Sequence, residues 1–227
     1  MQGTRGARLL PVGEGVAFPR EADSFPYRDF SHDKSESDMI SPELLLNGYR
    51  LGVFPMGLAG GTIEWFSPDP RAILPLDKFH ISHGLRRTLE KKKFDVRINT
   101  RFGDVIRACA KREDTWITRE IMGSYERLHK LGYAHSVEAW HDRKLVGGLY
   151  GVAIGGAFFG ESMFHRVTDA SKVALVALVE RMRARKFVLL DTQWVTPHLK
   201  QFGVVEISRT HYLRILGRAV ELQRKFV

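Results

Sequence analysis

His135-Ser136-Val137-Glu138-Ala139-Trp140, Leu145-Val146-Gly147-Gly148-Leu149-Tyr150-Gly151-Val152-Ala153 and Ala157-Phe158-Phe159 read as three consecutive strands, and they decide the fold. Asp142-Arg143 joins the first two, and the turn Gly155-Gly156 leads into the third, so neighbours pair antiparallel. Ala170 to Arg185 then shows helical apolar spacing through Val173, Ala174, Ala177, Leu178 and Met182. A short, fully apolar strand, Phe187 to Leu190, follows it, and a terminal helix covers Ser208 to Lys225. Upstream, a basic helix at about 82–92 precedes a strand from Phe94 to Asn99. Helices at about Phe102–Lys111 and Thr118–Leu131 come next, the second closed by Gly132. The order predicts an α+β protein whose mixed, mainly antiparallel sheet is flanked by helices.

The N-terminal third is less regular. Residues 1–38 mix Gly, Pro, Ser and charge, which predicts a partly ordered leader wrapping the surface. Ser41 caps a helix from Pro42 to Leu51 that Gly52 ends. Phe54-Pro55 and Ser67-Pro68-Asp69-Pro70 frame a loop-rich region, with Gly60-Gly61 turning between short extended pieces. The expected division is a small N-terminal domain, 1–68, and a larger catalytic domain, 69–227.

Among the 227 residues, 44% are apolar and 27% charged, which is ordinary for a globular protein with a real core. No apolar run approaches the ~18 residues that span a bilayer, and the N-terminus makes a poor signal peptide. The single cysteine, Cys109, excludes an intrachain disulfide and a cysteine metal cluster, and fits the cytoplasm. The nine histidines show no ligand spacing, so no metal is expected, and a monomer is the default. The net charge is +9, and between Lys78 and Arg112 eleven Lys/Arg stand against three acids, an excess of +8. Charge so concentrated favours a polyanionic partner, because each neutralised phosphate releases counterions.

Two stretches carry chemistry. Phe158-Phe159-Gly160-Glu161-Ser162-Met163-Phe164 sets a lone carboxylate among aromatic and thioether side chains, where its charge is costly to bury without a partner. Leu190-Asp191-Thr192-Gln193 ends a strand with an acid and an amide two positions apart, which alternation puts on one face.

Three antiparallel strands, a long helix and a further strand follow the order of the GNAT acyltransferase core. Acyl-CoA members place a glycine-rich phosphate loop before the long helix. Here that stretch is His165-Arg166-Val167-Thr168-Asp169-Ala170, which lacks glycine and so lacks the backbone cradle for a pyrophosphate. Seven motifs in order then resemble the bacterial leucyl/phenylalanyl-tRNA–protein transferase family. They begin with Gly48-Tyr49-Arg50-Leu51-Gly52-Val53-Phe54-Pro55, Trp65-Phe66-Ser67-Pro68-Asp69-Pro70-Arg71-Ala72 and Thr115-Trp116-Ile117-Thr118-Arg119. Leu128-His129-Lys130-Leu131-Gly132-Tyr133-Ala134-His135-Ser136, Val146-Gly147-Gly148-Leu149-Tyr150-Gly151-Val152, Gly160-Glu161-Ser162-Met163-Phe164 and Asp191-Thr192-Gln193 complete them. The chain departs from the family at Ser37-Asp38-Met39-Ile40-Ser41-Pro42, where a Gly-Gly-Asp-Leu-Ser-Pro run is usual. It departs again at Met56, where the family has a tryptophan that stacks on the terminal adenine.

The resemblance implies a GNAT-like aminoacyltransferase. Its substrates would be Leu-tRNA or Phe-tRNA (Met-tRNA less well) and the α-amino group of proteins beginning with Arg or Lys. The product would carry a degradation signal, and no cofactor is needed because the tRNA ester is already activated. Attack by an amine on an ester needs a neutral amine, donors for the oxyanion and a proton for the leaving ribose oxygen. Gln193 is expected to orient the amine through its amide oxygen while Asp191 holds Gln193. Glu161 is expected to receive the positive α-amino group of the tRNA-linked residue. Leu149, Phe158, Val176, Val179 and Leu190 are the candidate pocket for the uncharged side chain. Trp116 and Tyr125 match family aromatics near the 3′ adenosine, and Tyr49 joins the substrate-binding set. An aminoacyl-tRNA-dependent transferase with another acceptor, a GNAT transferase with another acyl donor, and a non-enzymatic tRNA-binding module remain open alternatives.

Overall fold

The computed structural model describes residues 39–58, 60–112 and 114–227; the leader expected over 1–38 lies outside the described residues. Ser41 caps the first helix, its Oγ accepting from the Leu44 N–H at 3.2 Å, and Pro42 fills the first turn, where a missing N–H costs nothing. This helix, α1 (Pro42–Arg50), buries Leu45, Leu46 and Tyr49. Two strands, β1 (Phe54–Gly57) and β2 (Ile63–Phe66), then form a separate antiparallel ribbon.

The remaining elements are β3 (Arg71–Ile73), α2 (His83–Glu90), β4 (Asp95–Ile98), α3 (Phe102–Ala110), α4 (Arg119–Lys130), β5 (Ala134–His141), β6 (Lys144–Ile154) and β7 (Ala157–His165). After them come α5 (Ala170–Ala184), β8 (Leu189–Gln193), α6 (Pro197–Lys200), β9 (Val205–Ile207) and α7 (Arg209–Val220). Seven strands form one sheet in the order β4-β5-β6-β7-β8-β3-β9. All neighbours are antiparallel except β7 and β8, and α5 supplies the crossover that a parallel pair needs. Asp142 and Arg143 both take left-handed φ, 49° and 60°, as a two-residue hairpin between right-twisted strands requires. The architecture is the α+β order, with a mixed, mainly antiparallel sheet flanked by helices, expected from the sequence.

Each face of the sheet has its own core. Leu45, Phe54, Val105, Ile121 and Leu216 belong to one, drawn from α1, the ribbon, α3, α4 and α7. α5 lies on the other with Leu85, Phe202 and Phe226, and is buried on most sides through Val173, Leu175, Val176, Leu178, Val179 and Met182.

Four details differ from expectation. β3 and β9 have three residues each, too few to show a period, yet they widen the sheet beside β8. β7 runs on to His165, because pairing with β6 continues past the Gly160-Glu161 interruption in its apolar run. The terminal helix stops at Val220, and the chain after it turns Phe226 onto Phe158, with centroids 5.1 Å apart. Finally, Gln193 has φ of 64°, which breaks strand alternation just where Asp191 and Gln193 were expected to share a face.

Candidate active site

The β7–β8 ladder pairs Ala157 with Leu189, Phe158 with Leu190 and Phe159 with Asp191, and then stops. Past that point, Gly160 to Phe164 and Thr192 to Trp194 line a cleft of about 1000 Å³. Glu161, from the middle of β7 just past the β7–β8 ladder, and Gln193, from the end of β8, thus reach the cleft from two strands whose roots are locked together.

Asp191 is 0% exposed and Arg71 1%, and their carboxylate and guanidinium meet at 2.6 Å. Arg71 Nε donates to both Asp191 oxygens, at 3.0 and 3.2 Å, while Nη1 donates to the Gly52 carbonyl at 3.1 Å. Tyr212 adds a hydroxyl to Asp191 at 2.6 Å, and the Gln193 main-chain N–H adds a bond at 2.8 Å. The guanidinium lies between the rings of Phe54 and Tyr212, 4.8 and 4.5 Å from their centroids. Burial, the largest influence, opposes the charge of Arg71, but Asp191, with Tyr212 and Glu161 adding to it, holds the guanidinium above its ordinary pKa. Burial, then the Asp191 charge, pushes the Tyr212 phenol up, so it stays a donor. Asp191 therefore holds Gln193 by its main chain, not by its amide as expected.

The amide serves the other carboxylate. Gln193 Nε2 donates to Glu161 Oε1 at 3.1 Å, the Tyr49 hydroxyl donates to the same oxygen at 2.7 Å, and the Tyr125 hydroxyl donates to Oε2 at 3.2 Å. The two phenol oxygens also lie within hydrogen-bond distance of each other, a contact that competes for the same two protons. Burial is the largest influence on Glu161; the Tyr49 bond opposes it, Asp191 adds to it, and the carboxyl is pushed up to about 7. Burial also raises both phenols, with the Glu161 charge adding to it. Three neutral donors surround Glu161, and no cation is among its hydrogen-bond partners in the described residues. A buried carboxylate so arranged favours a cationic ligand or a proton near neutral pH.

The structure brings together Glu161, Asp191, Gln193, Tyr49 and Tyr125, with Leu149, Leu190 and half-buried Trp116 on the cleft wall. Tyr125 is fully buried, so its hydroxyl orders Glu161 and its ring presents no face to a base. Phe158, Val176 and Val179 lie in the core and do not line the cleft. The wall from α5 is made instead by Leu175 and Leu178, with Met163 from β7, because these helix positions turn toward the cleft. Met56, on β1 of the ribbon, is buried in the core. Trp194, directly after Gln193, lines the cleft and meets Phe54 edge-on at 5.2 Å.

Sequence reasoning gave no role to Arg71 or Tyr212. The signal for Arg71 was present, since a carboxylate ending an apolar strand needs a buried cation, and Arg71 stands in a quoted motif. On the cleft side, Lys111, Arg112, Arg166 and Lys172 add positive charge to the wall. Helix α2 joins this region where the Thr88 hydroxyl donates to Asp169 at 3.1 Å, and its Arg86 and Arg87 are exposed.

Residues 73–217 match the family described as leucyl/phenylalanyl-tRNA protein transferase, and residues 38–69 match the N-terminal domain of the same family. A leucyl/phenylalanyl-tRNA–protein transferase of Akkermansia muciniphila is 54% identical over 192 residues, covering 82% of this chain and 100% of that one. One of Gloeobacter violaceus is 55% identical over 188 residues, covering 82% and 97%. Among solved structures, L-PGS from Bacillus licheniformis is similar at TM-score 0.38 and 15% identity over 71% of this chain and 56% of that one.

Proposed function

The chain belongs to the leucyl/phenylalanyl-tRNA protein transferase family, and from this premise we propose that the cleft transfers leucine or phenylalanine from aminoacyl-tRNA to a protein α-amino group. The protein is an aminoacyltransferase. Proteins beginning with Arg or Lys are the proposed acceptors, methionine is a poorer donor residue, and the product is a degradation signal.

The observation that carries this reading is the join between the two carboxylates: Gln193 gives its main-chain N–H to Asp191 and its amide N–H to Glu161. With Nε2 on Glu161, the Gln193 oxygen is the end left to accept an N–H from the attacking amine. An α-amino group of reference pKa about 8 is partly neutral near pH 7.5, so positioning serves it better than a strong base would. Its nitrogen bonds to the ester carbon, and the C–O bond to the ribose breaks. The amine sheds a proton, and the ribose oxygen takes one. Asp191, enclosed by Arg71 and Tyr212, fixes Gln193 for that step and does not exchange protons with substrate. Glu161 in its ionised form receives the α-ammonium of the donor residue, and the leucine-rich wall takes its side chain. The basic wall and α2 follow the tRNA phosphates without reading sequence.

The test is transfer of radiolabelled leucine from Leu-tRNA to peptides that begin with Arg or with Glu. Label on the Arg peptide alone is expected, together with a fall of at least 100-fold (roughly) in Asp191→Ala at saturating tRNA. Label on the Glu peptide would redirect the acceptor assignment. Bound tRNA with no label on either peptide would leave a tRNA-binding module.

A further inference from the structure

Four tyrosines are buried around this site, and three of them use their hydroxyls. Tyr49 and Tyr125 donate to Glu161, and Tyr212 donates to Asp191. Tyr150 is the exception. It is 0% exposed on β6, with its ring edge-on to Phe102 at 5.8 Å and to Tyr125 at 5.7 Å. It lines the same cleft as Glu161, yet none of the described residues offers its Oη a hydrogen bond.

A hydroxyl buried without a protein partner weakens the fold, and phenylalanine would supply the same ring without that cost. Packing thus accounts for the ring of Tyr150 and leaves its oxygen unexplained. Thr192 Oγ1 is in the same condition on the β8 side of the cleft, but its residue is only half-buried. Tyr150 stands closer to the chemistry, because it packs on Tyr125, the phenol that holds Glu161. Burial keeps its phenol protonated, and the charge of Glu161 adds to this. Its oxygen, enclosed in the free protein, therefore keeps unpartnered lone pairs on a residue that lines the cleft where a carboxylate favours positive charge. Glu161 already accepts three hydrogen bonds, so an ammonium with three N–H groups needs acceptors beyond that carboxylate.

We propose that Tyr150 is a donor-binding residue whose Oη accepts a hydrogen bond from the α-ammonium of the aminoacyl ester, beside Glu161. The assignment rests on the aminoacyl-transfer reading of the cleft and deepens it. Glu161 supplies the charge, and Tyr150 supplies direction.

The experiment compares wild type with Tyr150→Phe in three measurements. These are kcat/KM with Phe-tRNA, the inhibition constant of 3-phenylpropionyl-tRNA, in which hydrogen replaces the α-amino group, and the melting temperature without tRNA. A hydrogen bond to a charged group predicts a fall of about tenfold or more in kcat/KM. The inhibition constant of the deaminated donor is expected to stay unchanged, and Tm to rise by about 2–4 °C. Equal losses with both donors would assign Tyr150 a purely structural role and overturn the proposal. So would unchanged kcat/KM, or a lower Tm, which would place a partner on the hydroxyl in the free protein. A wild type that transfers nothing from Phe-tRNA would overturn the transfer reading, and this proposal with it.

Discussion

Replacing Glu161 by glutamine keeps the volume and removes the ionisation, so its effect depends on pH in a way the structure fixes. Burial lifts the carboxyl from 4.5 to about 7. Below pH 4.5 the folded and unfolded chains both hold the proton. Between 4.5 and about 7 the folded chain keeps it while the unfolded chain releases it, so stability falls across that window and is level above it. A shift of about 2.5 units at 1.36 kcal/mol each makes the loss roughly 3 kcal/mol. Urea unfolding of wild type and Glu161→Gln at pH 5, 6, 7 and 8 measures it, because the other titrating groups cancel in the difference. The variant is expected to gain on wild type by roughly 2.5 kcal/mol from pH 5 to 8, with most of the gain below 7. Activity should move the other way: if the ionised form receives the donor ammonium, kcat/KM rises with an inflection near 7, and the variant loses that inflection. A stability difference that stays constant over the pH range would refute the reasoning, since it would mean the carboxyl titrates alike in both states.

Three further outcomes follow from the geometry. Arg71→Met leaves Asp191 buried without its cation and is expected to cost about 3–5 kcal/mol, whereas adding Asp191→Asn should recover part of that; a denaturation cycle reads the coupling, and strict additivity would contradict it. Leu178→Ala widens the cleft wall and should raise the Phe-over-Leu ratio of kcat/KM about tenfold, while Val179→Ala, in the core behind it, lowers stability without moving that ratio. Affinity for tRNA is expected to fall steeply with salt, and Arg86→Ala with Arg87→Ala should shallow the log–log slope by about 1–2; an unchanged slope would take α2 off the tRNA.

Much of this was legible because it is local. The cap at Ser41, the start of α4 near Thr118, the hairpin at Asp142-Arg143 and the apolar spacing of α5 all declare themselves within a few residues. The identities of Glu161, Asp191 and Gln193 were legible too, because polar residues in apolar runs stand out. Their contacts were not. Arg71 reaches Asp191 across 120 positions, and Tyr49 reaches Glu161 across 112, separations over which no sequence period extends. The cleft wall failed for another reason. α5 is apolar on most sides, so its sequence does not say that Leu175 and Leu178, rather than Val176 and Val179, turn toward the cleft. The strand-alternation rule failed at Gln193, whose N–H turns back to Asp191 at a register shift in the β3–β8 pairing.

The grip of Arg71 has a consequence for quality control. One side chain ties together the carbonyl of Gly52, the ring of Phe54, the carboxylate of Asp191 and the ring of Tyr212, so three separate stretches must all be in place around Arg71 before Gln193 is. A nascent or damaged molecule missing any of these stretches would be silent as a catalyst rather than indiscriminate. For an enzyme that modifies other proteins, tying competence to complete folding would guard against acting on the wrong ones.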